Sequence, residues 1–80
     1  MLLLSCWRWA VKELTPHSPS ADLDVELLLA DVLGLTRAQL YSQKPDRMLL
    51  PAQQKMLKSL LWRRKAGEPV AYLLGRQEFW

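Results

Sequence analysis

The residues of this chain best equipped to act on another molecule are cations gathered in one stretch: Lys55, Lys58, Arg63, Arg64 and Lys65, with Trp62 among them. Lys55, Lys58, Trp62 and Lys65 recur at helical spacing, so the sequence expects one basic helix face with an aromatic in its middle. Such a face could bind nucleic acid or a protein associated with RNA, since cations neutralise phosphates and an indole ring can stack or hold a cation. Packing of Trp62 against the next helix is the structural alternative. Other chemistry lacks its parts. One histidine, His17, and one cysteine, Cys6, supply no set of soft metal ligands and no internal disulfide. Asp22, Asp24, Glu26 and Asp31 could resemble a paired-carboxylate site, but they read as solvent-facing or helix-start acids with a structural role.

The elements that must carry the basic face read as helices. Eighty residues make a single domain, and one of this size buries only roughly 60–65% of the surface its unfolded chain exposes. Half the residues are apolar, and leucine dominates them. That favours helices over a sheet rich in Val, Ile and Thr. The expected fold is all-α, a small orthogonal bundle of about five helices. Met1-Leu2-Leu3-Leu4-Ser5-Cys6 does not read as a secretory or lipoprotein signal, because no basic segment precedes it and Arg8 and Lys12 follow directly. No stretch approaches the ~20 apolar residues of a membrane span, and a reducing cytoplasm is the expected location.

A first helix over Leu3–Leu14 places Leu3, Cys6, Trp7, Ala10, Val11 and Leu14 on one side, which makes Trp7 core and leaves Trp9 exposed. Thr15 to Ser20, with Pro16 and Pro19, is a loop carrying an exposed His17. Ser20 is an N-cap for a second, largely buried helix that ends at Gly34, with Asp22 and Asp24 facing the positive end of its dipole. Thr36 and Gln39 form a capping box for a short third helix to about Ser42. Met48, Leu49 and Leu50 are expected to fold inward from the following loop. Pro51 opens a fourth helix despite Leu50, a poor cap, and its core stripe is Met56, Leu57, Leu60 and Leu61, continued by the stem of Arg64.

That helix should stop at Gly67, which can take the positive φ a helix end requires, with Arg63, Arg64 and Lys65 over the negative end of its dipole. Pro69 then suits the start of a short fifth helix through Leu74, closed by Gly75, and Glu68 can accept from its free amides. The aromatic exit Phe79-Trp80 leads to the expectation that the natural chain continues. Charge is unevenly spread. Residues 1–36 hold Arg8 and Lys12 against five acids, a net of −3, whereas residues 37–80 hold nine Lys or Arg against three acids, a net of +6. One end of the domain is therefore expected to be electropositive.

Arg63-Arg64-Lys65-Ala66-Gly67-Glu68-Pro69-Val70-Ala71-Tyr72-Leu73-Leu74-Gly75, followed by Glu78-Phe79-Trp80, resembles the segment joining the two domains of release-factor glutamine methyltransferases, the HemK/PrmC family. Asp24 to Gly34 is similar to that family's second helix, and the Pro51-initiated helix also fits. The resemblance covers nearly the whole chain. It implies a helical N-terminal domain over residues 1–75 that helps hold a class I peptide-chain release factor. Residues 76–80 would begin the linker into a methyltransferase domain that binds S-adenosylmethionine and methylates the glutamine of the Gly-Gly-Gln motif. The family's Asn-Pro-Pro-Tyr motif and glycine-rich cofactor loop have no counterpart here: the chain contains no Asn, and its glycines are only Gly34, Gly67 and Gly75. The resemblance therefore implies a domain that binds without catalysing, with no cofactor or metal of its own.

On this reading Lys55, Lys58, Trp62, Arg63, Arg64 and Lys65 are the candidate partner contacts. Gly67, Glu68, Pro69, Tyr72, Gly75, Glu78, Phe79 and Trp80 form the domain junction. The alternative is a small helical nucleic-acid-binding module, with the second and third helices as a helix-turn-helix. Its third helix would be short, offering only Arg37, Gln39 and Tyr41 to read bases, so direct nucleic-acid binding is not expected.

Overall fold

Helix-stop and helix-start residues divide the chain where their chemistry requires it. The computed structural model describes residues 1–44 and 46–75. It contains α1 (Leu3–Leu14), a 3-10 turn (Thr15–His17), α2 (Ala21–Leu33), α3 (Arg37–Tyr41), α4 (Pro51–Lys65) and α5 (Val70–Gly75). Gly34 and Gly67 take φ of 71° and 105°, the left-handed conformation in which a side chain would be strained, and they close α2 and α4. Thr36 and Gln39 complete the capping box of α3: Gln39 N–H donates to Thr36 Oγ1 at 3.1 Å, and Thr36 N–H donates to Gln39 Oε1 at 2.9 Å. At α4 only half of such a box exists, because Leu50 has no side-chain acceptor. Gln53 Oε1 accepts from Leu50 N–H at 2.9 Å.

α2 is the hub and packs against α1, α3, α4, α5 and the 3-10 turn. Leu14, Val25, Leu28, Leu29, Leu40, Leu57, Leu60, Leu61 and Leu73 are the largest fully buried side chains, so the core is almost entirely leucine. At roughly 1.5–3 kcal/mol for each large apolar side chain buried, this cluster is the main source of cohesion. Burial also pushes the Cys6 thiol above its ordinary pKa, which leaves it a small core residue with little thiolate character.

Five side chains depart from the burial expected of them, each for a tertiary reason. Trp7 is half-buried and meets the Tyr41 ring edge-on at 5.3 Å between centroids. Trp9, expected on the exposed side, is also half-buried, because α4 lies against that side of α1 and places Lys58 Nζ 5.9 Å from its ring centre. Met56 is exposed, at the edge of the stripe that Leu57, Leu60 and Leu61 complete. Met48 and Leu50 face solvent and only Leu49 is buried. The reason is an extended backbone there: Leu2 pairs with Met48, and Leu49 N–H donates to Met1 C=O at 2.9 Å, so alternate residues point to opposite sides.

The acids of α2 require the largest correction. Asp24 and Glu26 are only 5% and 9% exposed, so neither is a solvent-facing helix acid. Asp24 Oδ2 accepts from Ser18 Oγ at 2.6 Å and from Arg64 Nε at 3.0 Å, while Asp24 Oδ1 accepts from Ser20 Oγ at 3.1 Å. Ser20 thus bonds Asp24 and makes no side-chain bond to the first-turn amides of α2. Glu26 Oε1 accepts both Nε and an Nη of Arg37, at 3.1 and 2.7 Å, and Glu26 Oε2 accepts a short hydrogen bond from the Tyr41 hydroxyl.

The Tyr41 hydroxyl is the chief reason the Glu26 carboxyl titrates below its ordinary value; Arg37 adds to the effect and burial opposes it. A carboxylate depressed by folding stabilises fully above its unfolded pKa of about 4.3, and that contribution is lost as pH falls through the lower folded value. Tyr41→Phe is therefore expected to move the Glu26 titration upward, toward the ordinary carboxylate value, as followed by carboxyl carbon NMR. An unmoved midpoint would show that Arg37 alone sets it.

Candidate partner interface and domain junction

The C-terminal half of α4, the turn after it and α5 hold the residues with which this domain could meet others. Trp62 is 72% exposed, so it does not pack on the following helix. It borders, with His17, Lys65 and Ala66, an open hollow of about 380 Å³. Lys55 and Lys58 are exposed on the same helix, and the Lys58 ammonium lies near the Trp9 ring. Lys55, Lys58 and Trp62 thus form an outward basic and aromatic surface.

The three consecutive cations at the end of α4 are engaged within the domain. Arg63 pairs with both oxygens of Glu68 at 2.7 and 2.6 Å, and that contact raises its pKa above the ordinary arginine value. Arg64 is drawn inward to Asp24, reaches Ser18 Oγ at 3.3 Å, and donates to the Glu68 carbonyl at 3.4 Å. Lys65 Nζ donates to Glu13 Oε1 at 2.9 Å, and this bond lowers the Glu13 carboxyl pKa. A partner contact through any of these three would have to share or replace an existing bond.

These pairs also revise the electrostatic expectation. Arg37–Glu26, Arg64–Asp24 and Lys65–Glu13 each join a cation of the basic half to an acid of the other half. Charges separated along the sequence are therefore interleaved in space, and the cations left exposed include Arg8 and Lys12 on α1 as well as Lys55 and Lys58 on α4.

At the junction, Gly67 N–H donates to Arg64 C=O at 3.0 Å and Glu68 N–H to Arg63 C=O at 3.2 Å, which closes α4 and reverses the chain. Glu68 spends its carboxylate on Arg63, where the sequence placed it over the free amides of the next helix. A cation in the last turn and an acid just past the closing glycine were the visible signal for this pair. The Pro69 carbonyl accepts from Tyr72 and Leu73 N–H and starts α5. Leu73 is fully buried, Val70 and Leu74 pack partly against the core, and Tyr72 stays 65% exposed. Glu78, Phe79 and Trp80 lie outside the described residues, and of Gly75 only the backbone is placed, as the last residue of α5.

The pattern of stops and starts has a family counterpart. The chain matches the PrmC N-terminal domain over residues 5–75. It belongs to that family. It is 46% identical to the release factor glutamine methyltransferase of Coxiella burnetii over 69 residues, covering 86% of this chain and 24% of the relative. Over 73 residues it is 41% identical to the enzyme of that name from Shewanella oneidensis, covering 91% of this chain and 25% of the relative. The corresponding enzyme of Pseudomonas aeruginosa is 46% identical over 65 residues, covering 81% and 23%. The match thus spans about a quarter of the length of these curated relatives.

Gly34 and Gly67 of this PrmC N-terminal domain close two different helices, α2 and α4, and form no single glycine-rich loop of the kind that cradles a nucleotide-like cofactor. No helix among the described residues is long and apolar enough to cross a membrane.

Proposed function

We propose that this chain is the substrate-positioning domain of a release factor glutamine methyltransferase, with residues 1–75 as the helical unit and 76–80 opening into a catalytic domain. The observation that carries the reading is the family match over residues 5–75 together with relatives that bear that enzyme name. The substrate on this reading is a class I peptide-chain release factor in the cytoplasm, methylated at the glutamine of its Gly-Gly-Gln motif. The domain's contribution is positional. Binding energy gathered on a remote surface fixes the release factor so that a single glutamine amide nitrogen is presented to the catalytic domain, where S-adenosylmethionine supplies the methyl group.

Lys55, Lys58 and Trp62 are the proposed contacts on α4, since their polar and aromatic groups already face outward. The test is calorimetric titration of the chain with a class I release factor, using Lys55→Glu/Lys58→Glu as the probe of that face. Peripheral charges act mainly on association rate, so the double variant is expected to weaken binding by about three- to tenfold, more at low salt. Its helical dichroism should persist, because among the described residues neither lysine holds an ion pair and only the Lys58–Trp9 contact, about 0.5–1 kcal/mol, is lost. Unaltered affinity would remove this face from the interface. Absence of any binding by the wild-type chain would remove the function itself.

The helix-turn-helix alternative loses two of its three base-reading side chains. Arg37 and Tyr41 of α3 are turned back onto Glu26.

A further inference from the structure

We propose that the open groove between α1 and α3 is a docking site for an amphipathic helix of the release factor, acidic along one edge. The proposal rests on the function argued above and adds where on the domain affinity arises. Leu4, Trp7, Val11 and Tyr41 line a groove of about 530 Å³. A neighbouring hollow of about 170 Å³ shares Leu4, Trp7 and Tyr41 with it, so the apolar surface runs on along α1. This concavity is apolar, whereas the α4 surface is outward and charged. Aromatic pockets of this kind supply most binding energy at protein interfaces, and flanking charges supply steering.

The wall of the groove is held in place before any ligand arrives. Arg37 fixes Glu26 through two hydrogen bonds, Glu26 accepts from the Tyr41 hydroxyl, and the Tyr41 ring meets Trp7 edge-on. A buried carboxylate therefore orients an exposed ring, which lowers the ordering cost of binding. Tyr41 stays 60% exposed, so it keeps surface open to a ligand while bonded to Glu26.

The rims specify the occupant. Arg8 and Lys12 lie one helical turn apart on α1, both exposed, along one side of the groove, and Asp22 stands exposed as the other charged residue on its lining. The acid nearest in sequence to Lys12, Glu13, is already bonded to Lys65 on the α4 side. A complementary segment carries an apolar stripe, carboxylates one turn apart facing Arg8 and Lys12, and a cation facing Asp22. That pattern is an amphipathic helix read by a groove. The carboxylate of Asp22 and the apolar lining both disfavour a nucleic-acid occupant.

The test is titration of the chain with a class I release factor, comparing wild type with Arg8→Glu/Lys12→Glu and with Leu4→Gln. The charge variant probes the rim and the neutral variant probes the apolar wall. All three positions are exposed, so folding should survive, as checked by dichroism. Binding is expected to weaken at least tenfold in the charge variant and about fivefold in Leu4→Gln, with amide shifts induced by the release factor clustering on residues 4–12 and 41. If the wild type binds and both variants bind within twofold of it, the groove is not the site although the positioning function stands. If the wild type does not bind, the function and this inference fall together. If the chain alone dimerises in sedimentation and the charge variant disperses the dimer, the occupant is a second copy and the proposal is wrong.

Discussion

Arg64→Met is expected to destabilise the domain by about 2–3 kcal/mol, the largest loss of any single polar change. Removing one member of a buried ion pair costs about 3–5 kcal/mol where the other charge is left without partners. Here the side chains of Asp24 and Arg64 are 7% and 19% exposed, and Ser18 and Ser20 would still donate to the stranded carboxylate, which softens the loss. Methionine keeps much of the apolar stem, so the cost reports the guanidinium and not its packing. For a chain of this length the melting temperature should fall on the order of 10–20 °C. Arg64→Lys should recover only part of it, because an ammonium cannot reach Asp24, Ser18 and the Glu68 carbonyl together. Asp24→Asn combined with Arg64→Met should cost less than the two single changes added, since no buried charge is then left alone. Additive losses in denaturant titration would show that the two side chains act independently.

That pair also shows what a sequence can and cannot disclose. Gly34, Gly67 and the Thr36–Gln39 capping box were readable because each is settled within a few residues by backbone conformation or a local hydrogen bond. The leucine-rich core of α2 and α4 followed from periodicity for the same reason. Asp24 finds Arg64 across 40 residues, and Glu26 finds Arg37 and Tyr41 across 11 and 15. A helical wheel places both acids by their own helix, and their partners lie on others. Trp9 was misplaced for a related reason: α4 covers the side of α1 that periodicity assigns to solvent. Of the candidate contacts, Lys55, Lys58 and Trp62 keep the exposed placement that spacing assigns, and only Lys58 is drawn to a neighbour, the Trp9 ring. Arg63, Arg64 and Lys65 looked equally available until their acids were located. The groove beside Tyr41 carried no local signal, because it exists only where α1 and α3 meet.

Leu73→Ala is expected to release α5 before the rest of the domain unfolds. Six residues cannot sustain a helix alone, since nucleation outweighs so few hydrogen bonds, so α5 depends on docking. Leu73 is its only fully buried side chain, with Val70 and Leu74 packed partly against the core. A buried Leu→Ala change typically costs about 2–5 kcal/mol. Among the described residues α5 packs mainly against α2 and α4, so the change should exceed what docking supplies. Amide exchange at 70–75 should then approach the unprotected rate while α1–α4 keep most of their protection, a local opening and not a global one. On the proposed function, release-factor affinity of the chain should stay within twofold, because neither the α4 face nor the α1 groove includes α5. Joined to a catalytic domain, the same variant should lower methylation kcat/KM, since a helix that no longer docks cannot transmit the orientation of the bound substrate. Protection at 70–75 equal to wild type, or a loss spread evenly over all helices, would show that α5 is an integral part of the core and carries no separate coupling role.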